Sequence, residues 1–531
     1  MAIDPIQPPV APKIERERKD LKEVFAPYRA LFTEPVPKDL RERLAPYREL
    51  FIEPVDPVET PEKPQIGAAS AKWLLPVDGK KPHLEIRTDC KVFAHVRYGD
   101  YFKRLGKLIP QATDTILIAA WELMIEPELE GKTAQELLKD AFKNRNVRIR
   151  ALGSSTRKIN VKTAAKLNGF RVSTTDPFLM HVDDQHSADG GHHQKAIYLG
   201  GIEPRIFIGG MDLTLNRFDG SEDFWLDCQV EIVGNAAERG RATLEERWRS
   251  CDAWKTGKTA RAEFTPIAAT KGDGSTFVQF VRTYGIEGVQ AKKTKRLYAN
   301  PDGEQTYHAL LEHAIGMAKR FIYIEDQYFT GSPKFNKGMA RLEEVLAKAA
   351  QRGVIVVAVI ARSEHVETYF APWSRRRDVM NVLTKDLDDK ARVRVLQFKE
   401  IHTPDLAPPG NDPFHRNYVH TKTWIFDDEL AVVGSANCNR TGMANESELG
   451  VGIVSSKGFG EFANLPFARA LRIALWERIM NAPTTSTKVA AKDLSEFAQG
   501  LAILVGKNSP LEPYNIGTID DSASYGEPEC P

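Results

Sequence analysis

The chain has 531 residues, 42% of them hydrophobic, which is more length than one ordinary domain needs and enough apolar content for a large core. Lysine and arginine number 73 against 72 aspartates and glutamates, a formal net charge of +1, so there is no global basic field for gripping nucleic acid. Five scattered cysteines, Cys90, Cys228, Cys251, Cys438 and Cys530, show no C-x-x-C spacing, which argues against a disulfide framework or a thiolate metal site.

The start, MAIDPIQPPVAPKIERERKD, has no basic stretch leading into an apolar run, so the expectation is a soluble protein made in the cytoplasm without a secretory signal. Asp20–Val36 (DLKEVFAPYRALFTEPV) is echoed at Asp39–Val55 (DLRERLAPYRELFIEPV), a tandem repeat of period 19. Two copies are too few for a solenoid. Residues 1–80 therefore read as an arm, either folded on the protein's own surface or docking a carrier or partner protein.

From Lys81 onward strands and helices alternate. Thr115–Leu123 reads as a buried strand, Thr133–Lys143 as an amphipathic helix and Val147–Gly153 as the next strand. The order then recurs. Tyr307, Leu310, Leu311 and Ala314 mark a helical face, Arg320–Phe329 a strand, and Leu342, Val345, Leu346 and Ala349 a further helix before the strand-sized run Val354–Ala361. That run is too short to cross a bilayer. The pattern predicts α/β lobes with helix-covered sheets, divided as residues 81–275 and 276–505. Residues 506–531, rich in Pro, Gly and acids, read as a tail laid on the surface or disordered.

Each lobe carries a His-x-Lys late, after the same βαβ run, which suggests duplication. His193 and Lys195 lie in GHHQKAIYLGG, and His420 and Lys422 in VHTKTWIFDDELAVVGSANCNR. On a strand, residues two apart share a face. A phosphodiester is anionic, so its displacement needs cations on the equatorial oxygens together with a nucleophile and an acid in line. Two ammonium groups and two imidazoles supply that set with no metal or cofactor. Asp427 stands seven residues after His420, and Gly200 holds the same offset from His193. An odd offset points away from the His-Lys face, so both read as turn residues, where Asp and Gly are equally at home.

Three other features follow from position. His192 faces away from His193 and reads as a buried structural histidine. His181, Asp183, Asp184, His186 and Asp189, in HVDDQHSADGG, have metal-like composition but read as a polar loop near the pocket. Tyr369–Arg377 (YFAPWSRRR) reads as a loop at the mouth of the site, rings toward a lipid interface and arginines toward anionic headgroups, or as an ordinary solvated loop.

The second His-x-Lys segment resembles the phospholipase D superfamily signature H-x-K-x4-D with G-S-x-N in full, through His420, Lys422, Asp427, Gly434, Ser435 and Asn437. The first, HHQK followed by IFIGGMDLTLNRFD (Ile206–Asp219), is similar to the G-G-x-D-L segment of the eukaryotic-type enzymes, as are YIEDQYF (Tyr323–Phe329) and the ERW at Glu246–Trp248. The likeness covers about residues 85 to 480. It implies two similar lobes, each a mixed β-sheet flanked by helices, with the active site at their interface.

The resemblance also implies roles. His193 would be the nucleophile, forming a phosphohistidine, and His420 the general acid, with Lys195 and Lys422 on the phosphate. A downstream acid would orient each imidazole, and the matching positions are Asp227 in FWLDCQV and Glu448 in NESELGV. Asn437, Ser435, Gly210 and Asp212 would line the substrate. Asp212 cannot donate to phosphate when ionised, so a headgroup or the other lobe is its implied partner. The implied reaction is phospholipase D hydrolysis of a glycerophospholipid to phosphatidic acid and the headgroup alcohol, at a membrane surface, with no cofactor, no metal and no nucleic acid. The alternatives are a nuclease of the same superfamily and a non-catalytic scaffold working through its repeats. A signal-less core with a partner-like arm also resembles phospholipase D effectors of type VI secretion, which implies a secretion carrier or immunity protein on the repeats and action at a target-cell membrane.

Overall fold

The computed structural model describes residues 68–77, 81–172, 178–186, 190–215, 217, 225–256, 272–285, 303–333, 339–362, 372–399, 417–482 and 488–514. The tandem repeat, and any docking role read from it, lies outside these residues.

The first sheet uses β1 (Lys91–His95), β2 (Thr115–Ala120), β3 (Arg148–Ser154), β4 (Met180–Asp183), β5 (Ala196–Leu199), β6 (Arg205–Gly209) and β8 (Gln229–Val233). Its strand order is β1-β8-β6-β5-β2-β3-β4. The short strand β7 (Trp225–Leu226) stands apart from it. The second sheet contains β9 (Thr276–Tyr284), β10 (Glu304–Gln305), β11 (Phe321–Asp326), β12 (Ile355–Ile360), β13 (Val393–Phe398), β15 (Lys422–Phe426), β16 (Leu430–Gly434), β17 (Glu448–Ser455) and β18 (Leu511–Pro513). Its order is β10-β9-β17-β16-β15-β11-β12-β13-β18. Without the two edge strands β10 and β18, the two orders correspond strand for strand. The pairing sense corresponds too: β2-β3-β4 and β11-β12-β13 are parallel, and the remaining pairs of each seven-strand core are antiparallel. The repeated order read from the sequence is thus a repeated mixed-sheet topology.

Strands such as β2 and β11 are buried at every residue, so they show no alternation and need cover on both faces. Helices α1 (Tyr98–Leu108), α2 (Ala134–Lys143) and α3 (Ile159–Asn168) cover the outer face of the first sheet, over a core including Leu105, Ile116, Leu138 and Ile149. A reciprocal Thr133–Glu136 capping box starts α2. The inner faces of both sheets share one core with α4 (Ala237–Thr256), in which Ile208 and Val230 join Val433 and Val451. That common core makes Glu62–Pro531 one compact unit.

Helices α5 (Thr306–Met317), α6 (Leu342–Gln351) and α7 (Pro372–Thr384) cover the outer face of the second sheet. Trp73 and Leu74, assigned to the arm, are buried in that core, and Trp73 Nε1 donates to Glu429 Oε2 at 2.8 Å. The tail likewise begins later than expected, because Leu511–Pro513 pairs antiparallel with β13 and closes the sheet edge. The segment read as a mouth loop is helical from Pro372. Arg376 on it is buried, donating to Tyr328 O at 2.6 Å and Gln327 O at 2.8 Å, so it anchors backbone and does not face a lipid headgroup. Tyr369–Ala371 lie outside the described residues.

Asp427 is a turn residue with φ +53°. Its carboxylate accepts from the backbone N–H of Lys319, Arg320 and Phe321 at 2.8, 2.9 and 2.8 Å, capping the start of β11. In the first half Gly200 makes the corresponding turn through backbone bonds alone, with Gly200 N to Thr115 O at 2.7 Å and Thr113 N to Gly200 O at 3.0 Å. Gly200→Asp is therefore expected to leave turnover within about threefold, and to lower stability by about 1 kcal/mol because its Cβ would sit 3.1 Å from Thr115 O and 3.2 Å from Asp114 Oδ2. Paired activity and thermal-melting measurements check this.

Candidate active site

His193 and Lys195 stand just before β5, and His420 just before β15, which Lys422 opens. Two backbone junctions hold them. β14 (Tyr418–Val419) pairs in parallel with β7, and Leu226 O accepts from His420 N at 2.8 Å. In the other half His192 bridges to Ser447, and Ser447 O accepts from His193 N at 3.0 Å. Leu226 and Ser447 immediately precede Asp227 and Glu448. Each histidine is therefore clamped beside the acid of the opposite half.

The side chains follow. His193 Nδ1 lies 2.9 Å from Glu448 Oε1, and His420 Nδ1 lies 2.6 Å from Asp227 Oδ2. A carboxylate on Nδ1 keeps the proton there and leaves Nε2 with its lone pair. The acid downstream of each His-x-Lys thus serves the other copy's imidazole.

Both acids are themselves held. Tyr98 Oη donates to Asp227 Oδ2 at 3.1 Å and Cys228 N to Oδ1 at 2.8 Å, while Arg478 donates to the Asp227 carbonyl. Ser435 Oγ donates to Glu448 Oε2 and accepts from Leu449 N at 3.1 Å.

Lys195 Nζ donates to His193 O at 3.1 Å and lies 3.7 Å from Asp212 Oδ2. Lys422 Nζ donates to His420 O and to Gln327 Oε1, the latter at 3.0 Å. Burial sets the proton affinities. It pulls His193 down to about 3 with help from the Lys195 charge, and it pulls Lys422 down to about 7. His420 is held well below the ordinary histidine range by burial, then by Lys422, Arg217, Lys195 and His193. Contacts join the two couples into one charged cluster: Tyr98 Oη, bonded to Asp227, accepts from Arg217 at 3.4 Å, Arg217 donates to Asp212 at 3.5 Å, and Asp212 lies 3.7 Å from Lys195. Trp121 lies edge-on to His193 at 5.8 Å and Trp225 lies 4.7 Å from His420, so each imidazole has an indole wall.

Two family models match the chain, one described as "Phospholipase D" over residues 214–351 and one as "Cardiolipin synthase, PLD-like domain" over residues 311–465. The chain belongs to the phospholipase D superfamily. It is similar to phospholipase D alpha 4 of Arabidopsis thaliana, at 26% identity over 57% of this chain and 50% of that protein. It is similar also to phospholipase D alpha 1 of Vigna unguiculata, at 25% identity over 49% of this chain and 45% of that protein. The chain thus spans about half the length of the curated relatives it matches. Phosphatidylserine synthase of Haemophilus influenzae superposes with a TM-score of 0.49 at 12% identity, over 80% of this chain and 97% of that one.

Within this phospholipase D-type site, three residues expected to line the substrate have other work. The hydroxyl of Ser435 is taken up by Glu448. Asp212 accepts from Trp121 N at 3.0 Å and faces Lys195 and Arg217, so it balances buried charge. Gly210 is small because Asp227 packs on it; a Cβ there would meet Asp227 Oδ1 at 2.0 Å. Gly210→Ala is expected to displace that carboxylate and lower turnover about 10²-fold. A ring-proton spectrum showing loss of the His420–Asp227 bond, with the fold retained, checks the cause. Asn437 is buried, with its amide oxygen lacking a partner among the described residues.

His192 is buried, its Nδ1 3.0 Å from Asp183 Oδ2, which Arg247 also binds. His181 pairs with Asp252 at 2.8 Å and His186 with Ser155 Oγ at 3.2 Å, so the metal-like segment scatters its donors; Asp189 lies outside the described residues. Ring or carboxylate atoms of His193, Glu446 and Glu448 lie within 4.8 Å of one another. There one Glu448 oxygen is engaged by His193 and the other by Ser435.

Gln327, Tyr98, Arg217, Arg478 and Glu446 were not singled out from sequence. Gln327 lies in YIEDQYF, whose resemblance was visible without a role. Arg217 lies in IFIGGMDLTLNRFD and Glu446 in NESELGV, two residues from Glu448, again without a role, while Tyr98 and Arg478 carry no local signal because their partners are distant in the chain.

Proposed function

We propose that the chain hydrolyses the headgroup-side phosphodiester of glycerophospholipids, releasing phosphatidic acid and the free alcohol. The observation that carries this reading is the crossed pair of imidazole–carboxylate couples, each beside a buried ammonium, in one cluster. His193 Nε2 attacks phosphorus while the P–O bond to the headgroup breaks, and His420 Nε2–H protonates the departing alkoxide. Water then gives its proton to His420 Nε2 and its oxygen to phosphorus, and the P–N bond to His193 breaks. Lys195 and Lys422 balance the charge on the non-bridging oxygens. A bound phosphodiester brings a negative charge that raises the proton affinity of His420, which readies it as the acid.

Lipid is favoured over nucleic acid as substrate by the near-zero net charge and by the similarity to plant enzymes named phospholipase D. No helix among the described residues is long and apolar enough to cross a membrane, and the proposed contact with lipid is peripheral. Incubation with mixed phospholipid vesicles, and separately with single- and double-stranded DNA, tests the reading. Headgroup release with DNA intact supports it; DNA cleavage without headgroup release makes the chain a nuclease, and inertness toward both makes it a scaffold.

A further inference from the structure

The two half-sites are not equivalent, and the difference lies in the acids. The groups bonded to the Asp227 carboxylate are donors: His420, Tyr98 Oη and Cys228 N. Glu448 has His193 on one oxygen and Ser435 on the other, and a second acid, Glu446, lies within the same 4.8 Å trio. Glu446 is half-buried, whereas Glu448 is buried. Two carboxylates this close cannot both ionise without opposing each other.

We propose that Glu446 is a positioning residue that shares a proton with Glu448 and, through it, sets the basicity of His193. Burial, joined by the Glu448 charge, pushes Glu446 up to about 7, and burial pushes Glu448 up to about 7. The two titrate as one unit near neutrality. The charged groups around the unit are His193, Lys195 and Lys422. The Tyr307 hydroxyl near Glu448 is held well above 10 by burial and stays protonated.

Losing the shared proton gives the pair a second negative charge. The second charge stabilises positive charge on the His193 ring, so Nε2 becomes a better electron-pair donor as pH rises. When Nε2 bonds phosphorus, the proton on Nδ1 stays donated to Glu448, and the proton between the acids does not travel to substrate. Among the described residues no second acid stands beside Asp227 as Glu446 stands beside Glu448, which marks His193 as the ring whose nucleophilicity is tuned.

This inference rests on the proposed phosphodiester chemistry for its kinetic test and is independent of it for its spectroscopic one. Bis(p-nitrophenyl) phosphate has a leaving group that needs no acid, so its pre-steady-state burst reports attack by His193 alone. In the wild-type chain the burst rate is expected to rise with pH through about 7. In Glu446→Gln that limb moves to lower pH by about one unit or more and the plateau falls about three- to tenfold, while Glu446→Asp restores the wild-type profile. Nitrogen-15 spectra of His193 are expected to show a titration near neutrality that Glu446→Gln abolishes and Glu446→Asp keeps. Superimposable burst profiles and unchanged His193 spectra in Glu446→Gln overturn the proposal. No burst in any variant, with His193 spectra still responding to Glu446→Gln, overturns the phosphodiesterase reading and leaves the coupling standing.

Discussion

His193→Ala and His420→Ala are each expected to lower phospholipid headgroup release at least about 10³-fold, and the double variant to be little worse than either single one. The non-additivity arises because attack and leaving-group protonation belong to one displacement; removing either ring leaves only charge stabilisation by Lys195 and Lys422. Alanine leaves a cavity at each site, so thermal melting should accompany the kinetics. Losses below tenfold in a folded protein would remove both rings from the chemistry.

The second large effect separates the two steps. Asp227→Asn is expected to lower steady-state turnover about 10³-fold or more, since the imidazole it orients loses both its tautomer and its counter-charge. Because Asp227 serves His420, that variant should still attack bis(p-nitrophenyl) phosphate through His193 and then stall, accumulating a phosphohistidine on His193 that mass spectrometry detects. Glu448→Gln, which disables the attacking ring, should show no burst and no adduct. The opposite pattern, adduct with Glu448→Gln and none with Asp227→Asn, would mean that His420 is the nucleophile. Equal and mild effects in both would mean that neither acid orients a reacting ring.

Much of this was visible along the chain. The two His-x-Lys segments, the repeated strand–helix order and the identities of Asp227 and Glu448 could be read because each is a local pattern or a family match. Asp427 could be assigned to a turn because strand parity alone points it away from His420. Pairings were not readable. Glu448 reaches His193 across 255 residues and Asp227 reaches His420 across 193. Nothing local to FWLDCQV or NESELGV says which histidine either acid will meet. The arginines of YFAPWSRRR suggested a surface by composition, yet helix formation from Pro372 turns Arg376 inward onto the backbone of Gln327, which in turn holds Lys422. Ser435 and Gly210 matched substrate-lining positions by motif, and only packing shows that both shape the seats of the acids.

By itself, then, the order of residues determined that this protein would carry duplicated helix-covered sheets and two imidazole–ammonium couples, since periodicity and spacing act over a few residues. Which carboxylate faces which imidazole, and that among the described residues a second acid stands beside Glu448, was decided in three dimensions. The reason is that two backbone junctions, His193 N to Ser447 O and His420 N to Leu226 O, each cross from one half to the other. Hydrogen bonds between distant segments exist only once both sheets have packed on their common core.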